Sequence, residues 1–218
     1  MCGRFTRMAS WADVHKWLSL LTFAELPPSY NVAPTQRVLV ARDHDGKREG
    51  VAMRRGLIPS WAKNPKMAQI NARSETAATK PMFRAAFKKP RCLILANGYY
   101  EWKKTTKPKQ PYYYRVKDEN PFTFAGLWET WHGEDKPLET CAILTTNANE
   151  LAKEVHDRMP VILTGDDALA WLDSALDPAA LGEQLRPFSP KDMVCNPVSM
   201  VVGNVRNNNA SLIEADPY

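Results

Sequence analysis

A chain of 218 residues with 44% hydrophobic and 24% charged residues can bury a core of its own without disulfide staples or a structural metal. No apolar run approaches the roughly 18 residues of a membrane span, and Met1-Cys2-Gly3-Arg4-Phe5 lacks the apolar stretch of a secretory leader; the expectation is a cytoplasmic protein with no membrane association. The net charge of +5 permits nucleic-acid binding without demanding it.

In chain order, residues 10–21 predict an amphipathic helix, because Trp11, Val14, Trp17, Leu18 and Leu21 recur at helical spacing. Ser10 with Asp13 three residues on resembles a capping box. Residues 36–42 and 51–58 read as strands of a hairpin that turns at Asp45-Gly46. A short helix is expected from Ser74, interrupted by Pro81. Strand-like runs follow at 91–96, 99–102, 112–116, 122–128 and 140–146, with the basic loop 103–111 as a flexible hairpin tip. Helices near 149–155 and 166–176 precede a late strand around 194–201. Strands outnumber helices without the regular alternation of a parallel α/β fold. The expected class is α+β, mostly β, with a barrel-like core, peripheral helices and one domain over 1–218.

The four cysteines, Cys2, Cys92, Cys141 and Cys195, form no C-x-x-C pair and have no histidine at ligand spacing, so neither a metal nor another cofactor is expected. Cys92 and Cys141 lie in apolar runs and read as small buried hydrophobes. Arg54-Arg55, Arg84-Lys88-Lys89-Arg91 and Lys103-Lys104-Lys107-Lys109 cluster near Trp61, Phe83, Phe87 and Trp102. Such a mixture suits single-stranded nucleic acid, with cations along phosphates and rings under bases; on charge alone the plainer reading, solvated strand ends, is favoured.

Cys2 stands where position changes chemistry. Loss of Met1 would leave one residue with an α-amine and a thiol on adjacent carbons. An α-amine has a pKa of about 7.7–8.0, far below the roughly 10.4 of lysine, so a useful fraction is neutral and nucleophilic at pH 7. A neutral amine condenses with an aldehyde to an imine, and the neighbouring thiol can close a thiazolidine ring. A frayed terminus is the plainer reading. Glu101, between Tyr100 and Trp102, has apolar neighbours that disfavour a charged carboxylate and suit it to proton transfer; alternatively it pairs with Lys103 or Lys104. His156 is a candidate general acid or base, or a capping histidine. Asn71-Ala72-Arg73-Ser74-Glu75-Thr76 offers an amide for a sugar hydroxyl and a guanidinium for a phosphate, or simply caps a helix.

The motifs together resemble those of the SRAP (SOS-response-associated peptidase) family of abasic-site-processing proteins. The resemblance rests on Met1-Cys2-Gly3-Arg4-Phe5, Tyr30-Asn31-Val32-Ala33-Pro34, Gly56-Leu57-Ile58-Pro59-Ser60-Trp61-Ala62, Ile70-Asn71-Ala72-Arg73-Ser74-Glu75-Thr76, Gly98-Tyr99-Tyr100-Glu101-Trp102 and His156-Asp157-Arg158-Met159-Pro160. A segment from Val198-Ser199 to Asn207-Asn208 resembles the closing motif. The blocks come in family order along essentially the whole chain. The resemblance implies a DNA-damage-response protein that loses Met1 and captures the ring-opened sugar of an abasic site on Cys2. Its implied partners are single-stranded DNA and single-strand/double-strand junctions, met by a monomer. It further implies that Glu101 assists ring opening and crosslink reversal, that His156 protonates the sugar oxygen and that Asn71 orients the sugar. Gly3, Arg4, Asn31, Trp61, Arg73, Trp102 and Arg158 are implied at the DNA interface. Secondary lyase and autoproteolytic activity belong to the same expectation. Two departures are Asn97, where the family commonly has an acid, and Leu95, where it has a proline. The rival readings are a thiol peptidase pairing Cys2 with His156, and a non-covalent single-strand-binding module.

Overall fold

The computed structural model describes residues 2–89, 91–104, 108–118, 120–133, 136–173, 175–176 and 181–216. Its elements begin with β1 (Arg4–Arg7), α1 (Trp11–Leu18), β2 (Thr22–Phe23), β3 (Ser29–Val32), β4 (Arg37–His44) and β5 (Lys47–Arg55). After a long loop come β6 (Asn71–Arg73), α2 (Ser74–Ala77), α3 (Arg84–Lys88), β7 (Arg91–Ala96), β8 (Gly98–Trp102) and β9 (Pro111–Val116). The second half holds β10 (Phe122–Trp131), β11 (Leu138–Asn147), α4 (Glu150–Lys153), β12 (Arg158–Pro160), β13 (Ile162–Leu163), α5 (Gly165–Leu172) and β14 (Met193–Pro197).

The β4–β5 hairpin forms as its turn residues dictate. Asp45 and Gly46 both take positive φ, 50° and 72°, the backbone that a two-residue turn needs to match strand twist. With His44 opposite Lys47 the strands run right up to the turn, farther than alternation alone suggests. Helix α1 stops three residues before Leu21, because Ser19 turns left-handed at φ 53°. Leu21 therefore leaves the apolar face and is 70% exposed, while Val14 and Leu18 are buried. The Asp13 carboxylate accepts from both the Ser10 backbone N–H (2.7 Å) and its hydroxyl (3.1 Å) at the helix start.

Two sheets carry the fold, in the orders β14-β9-β8-β1-β3 and β12-β11-β10-β7-β4-β5-β2. In the larger sheet β5 also pairs with β11 in parallel, Thr140 opposite Arg54 and Cys141 opposite Arg55. This short contact closes β5-β4-β7-β10-β11 into a ring, joined at one seam by two residue pairs rather than along a full barrel. Strand β7 shows why the sequence reads as an unbroken apolar run: both of its faces are covered. Leu93 and Leu95 join Leu18, Phe87 and Trp171 beneath the helices. Cys92, Ile94 and Ala96 face the smaller sheet and meet Phe5, Tyr99 and Phe124. Burying side chains of this size contributes about 1.5–3 kcal/mol each.

The basic clusters divide along the same lines. Arg91 is buried, its guanidinium donating to the carbonyl of Trp171 (2.8 Å) and to that of Asp173. Phe83 and Phe87 are core residues, so they offer no platform for bases. Arg55 is fully buried. Loop 103–111 does join β8 to β9 as a hairpin, with Trp102 opposite Pro111; residues 105–107 lie outside the described residues. Among the described residues no helix is long and apolar enough to cross a membrane.

Candidate functional site

Strand β1 lies between β3 and β8, with Arg4 opposite Tyr100 and Phe5 opposite both Tyr99 and Val32. The residues just before it are thereby held against the core between the sheets, and Cys2 is completely buried. Arg55, the last residue of β5, reaches it from below. One terminal nitrogen, Nη2, donates to the Cys2 carbonyl at 2.6 Å; Nη1 donates to the Gly3 carbonyl at 2.8 Å and to that of Val32 at 3.5 Å. The guanidinium carbon lies 5.1 Å from the centre of the Phe5 ring, a cation–π contact.

Burial pushes the Cys2 thiol up to about 12, Arg55 opposing that shift and Glu101 adding to it. The sulfur is therefore a neutral thiol near pH 7. Glu101 is itself buried on β8, opposite Tyr112, and its Oε1 accepts from the Trp102 N–H at 3.3 Å. The glycine at the start of β8 permits this packing. A Cβ on Gly98 would sit 2.3 Å from the Tyr113 ring, whose hydroxyl lies 2.8 Å from Thr6 Oγ1.

His156 follows α4, with its side chain only 7% exposed. Burial holds it below the ordinary imidazole value, against the opposing pull of Glu101, so the ring is neutral at pH 7. Nδ1 of the ring lies 3.0 Å from the Arg158 backbone nitrogen, whose N–H would donate to a lone pair there. Asp157 Oδ1 lies 2.7 Å from the same Nδ1 and accepts from it when Nδ1 carries the ring's proton. Glu101 thus acts on both Cys2 and His156, as does the N-terminal amine. Three of the four residues expected to do chemistry form one electrostatic group, although they are far apart in sequence.

Asn71 opens β6, which runs parallel to β11 with Asn71 opposite Ile143, and Arg73 caps the short helix α2 while remaining exposed. Glu75 in that helix binds Arg158 through two hydrogen bonds, 2.7 and 2.8 Å, and Arg158 also donates to Asn147 Oδ1 and the Thr145 carbonyl. Arg158 accordingly joins α2 to β11 and β12. Its hydrogen bonds hold the Glu75 carboxyl below the usual range, against desolvation. A carboxyl depressed in the folded state stabilises it above the unfolded value of about 4.3, and that contribution fades as pH falls through the folded value. Glu75→Gln is expected to lower the urea midpoint at pH 7 and to converge on the parent as pH falls through the depressed folded value. The difference should be small, because the Glu75 side chain is 44% exposed. Parallel curves across that range would show that the pair contributes no pH-dependent stability.

The residues expected at a DNA interface differ in how free they are. Arg4 donates to Asn31 Oδ1 (2.8 Å) and to the carbonyls of Val202 and Gly203. Asn31 is buried and gives its amide nitrogen to the carbonyls of Val202, Asn204 and Asn207. These two fasten the closing segment over β1 and β3. Gly3 is half-buried, its carbonyl taken by Arg55. Trp102 is partly buried against Tyr100, Val198 and Leu212, whereas Trp61 stands 54% exposed on the loop after β5. At the first departure noted above, Asn97 Oδ1 accepts from the N–H groups of Met8 and Ala9. An amide oxygen does there what a carboxylate oxygen would. Arg55 is the residue that sequence reasoning missed, having grouped it with surface charge. The signal was present in alternation, since Met53 and Arg55 share a strand face and Met53 is core.

The family model for SOS response associated peptidase (SRAP) matches residues 1–205. The chain is 43% identical over 224 residues to the abasic site processing protein YoqW of Bacillus subtilis, covering 99% of this chain and all of that one. It is 30% identical to the abasic site processing protein YedK of Escherichia coli, across 98% and 99% of the two chains. With the abasic site processing protein HMCES of Xenopus tropicalis the identity is 34%, over 86% of this chain and 66% of that protein. A crystal structure of a protein from Bacteroides thetaiotaomicron superimposes with a TM-score of 0.89 at 28% identity, covering 99% of this chain and all of that one. The chain belongs to the SRAP family.

Proposed function

We propose that this protein, once Met1 is removed, captures abasic sites in single-stranded DNA by forming a thiazolidine between Cys2 and the ring-opened sugar. Removal of Met1 is required on chemical grounds, since it turns an amide nitrogen, which is not a nucleophile, into an amine. The observation that supports the reading is Cys2 held buried by the Arg55 grip on its carbonyl, with Glu101 acting on both it and His156. A peptidase nucleophile acts as thiolate, and a thiol near 12 is a poor one; the amine attacks first. It adds to the sugar C1 aldehyde and water leaves, giving an imine. The S–H then adds across C=N, sulfur to carbon and hydrogen to nitrogen, and closes the ring.

Opening the closed sugar to its aldehyde needs a proton removed from the C1 hydroxyl and one delivered to the ring oxygen. Glu101 takes the first role and His156 supports the second. Asn71 orients the sugar, and the exposed Arg73 attracts phosphate. Single strands and strand junctions suit such a site because an unpaired sugar can turn into it, and phosphate attraction is indifferent to base. Arg4, Asn31 and Arg158 serve it by fixing the surrounding segments. Lyase cleavage of the strand and reversal of the crosslink proceed from the same imine.

The test is intact mass spectrometry of the protein mixed with single-stranded DNA bearing one abasic site. After denaturation, which lets any simple imine hydrolyse, the expected product has the mass of protein lacking Met1 plus DNA minus one water, and it disappears in Cys2→Ala. A denaturation-resistant adduct that persists in Cys2→Ala, or none despite a free Cys2 terminus and measurable DNA binding, would falsify the reading.

A further inference from the structure

We infer that Arg55 is a positioning residue for this capture reaction and keeps the Cys2 amine unprotonated, by gripping the first two backbone carbonyls of the reactive terminus and setting a buried positive charge beside its nitrogen. The inference rests on the proposed role of the Cys2 amine and assigns that reactivity a structural source. Arg55 Nη2 is 2.6 Å from the Cys2 carbonyl oxygen. Covalent geometry then puts the Cys2 nitrogen within about 6 Å of that guanidinium nitrogen.

The charge is unusual in what surrounds it. Arg55 is fully buried, yet among the described residues no carboxylate pairs with it; carbonyls of Cys2, Gly3 and Val32 and the Phe5 ring are its partners. Leaving a guanidinium inside a protein without a counter-ion is costly. An ion pair would cancel the field of the cation, whereas carbonyl dipoles leave a net charge to act on the neighbouring amine. A second positive charge there is disfavoured, so the amine loses its proton at lower pH and attacks as the free base. The double grip also limits the rotation of residues 2 and 3, so the nitrogen and sulfur are presented together.

Other groups face the same point. Glu101 from β8 acts on Cys2, and Cys2 on Tyr99 of the same strand; Cys141 from β11 and Arg4 from β1 act on Arg55; His156, after α4, faces both Glu101 and the terminal amine. Glu101 favours the protonated amine and so opposes Arg55. All of these remain when Arg55 alone is changed, and the difference isolates its charge.

The test measures thiazolidine formation at the terminus of the protein lacking Met1 as a function of pH, with formaldehyde as the probe. The product is located on the N-terminal peptide by mass spectrometry, and each variant is first shown to melt cooperatively. The parent should have a midpoint below the roughly 7.7–8.0 of an ordinary α-amine. Arg55→Gln keeps hydrogen-bond donors without the charge and should move the midpoint up by about one unit. Arg55→Lys keeps the charge with a looser grip and should hold the midpoint within about 0.3 unit, while the plateau rate falls several-fold. A parental midpoint at or above about 8, an unmoved midpoint in folded Arg55→Gln, or a raised one in Arg55→Lys overturns the inference. Should Arg55→Gln not fold, the parent and Arg55→Lys decide it. Running the parent in parallel with abasic DNA separates the two ideas. A low midpoint with formaldehyde but no DNA adduct sinks the capture reading and leaves the role of Arg55 standing; a DNA adduct with unmoved midpoints does the reverse.

Discussion

Glu101→Gln is expected to slow crosslink formation by about 10²- to 10⁴-fold, the range over which a positioned general acid–base group acts. Glutamine preserves the shape and can still accept from the Trp102 N–H through its amide oxygen, so packing on β8 should survive. It can neither take a proton from the sugar hydroxyl nor return one. It also removes the charge that pulls against the low value of His156 and that raises the Cys2 thiol. The histidine should therefore fall further and the thiol should come down. The measurement is single-turnover adduct formation with abasic single-stranded DNA, together with release of preformed adduct into excess competitor. Non-covalent affinity for intact single strands should stay within about twofold. Unchanged rates in both directions would remove Glu101 from the chemistry and leave it a buried strand residue.

Asn31→Ala should be the most damaging single change away from the reacting groups, costing about 2–4 kcal/mol. Its amide nitrogen serves the carbonyls of Val202, Asn204 and Asn207, and its oxygen serves Arg4. Alanine leaves the Asn207 carbonyl without that donor, strips one of two donors from the Val202 and Asn204 carbonyls, and frees one arm of a guanidinium that also holds Val202 and Gly203. The neighbouring ties are fewer: Asn208 Oδ1 accepts from the Tyr30 N–H, and the Tyr100 hydroxyl donates to the carbonyls of Tyr30 and Leu212. Urea unfolding should show a lower midpoint at unchanged slope, and limited proteolysis should cut first between residues 199 and 209. A loss under about 0.5 kcal/mol, with that segment still resistant, would mean that packing of Val202 and Leu212 alone holds it. The same result bears on function. Asn31 and Arg4 occupy motif positions, but their side chains face the protein, so an effect of either on DNA capture would be transmitted through the segment they hold.

The sequence by itself determined the elements whose signal is local. Strand β7 was legible to the residue as a run covered on both faces, and the β4–β5 hairpin followed from the backbone preferences of Asp45-Gly46. Strands β9, β10 and β11 were legible to within three residues at their ends. The reactive potential of Cys2 was legible for the same reason, since a terminal aminothiol is a property of one residue. The order of motifs along the chain identified the family without any coordinates. Tertiary structure alone decided the rest. Strands β1, β3, β6 and β12 are three or four residues long, too short for a period to register, and they exist because a partner strand supplies their hydrogen bonds. The ring closes through a two-pair contact between β5 and β11, between segments whose sequences carry no mark of each other. Charge counts alone could not separate the buried Arg55 and Arg91 from the exposed Arg73. The number of basic residues is local, but whether a guanidinium meets phosphate, carboxylate or backbone carbonyl depends on which distant strand lies across from it.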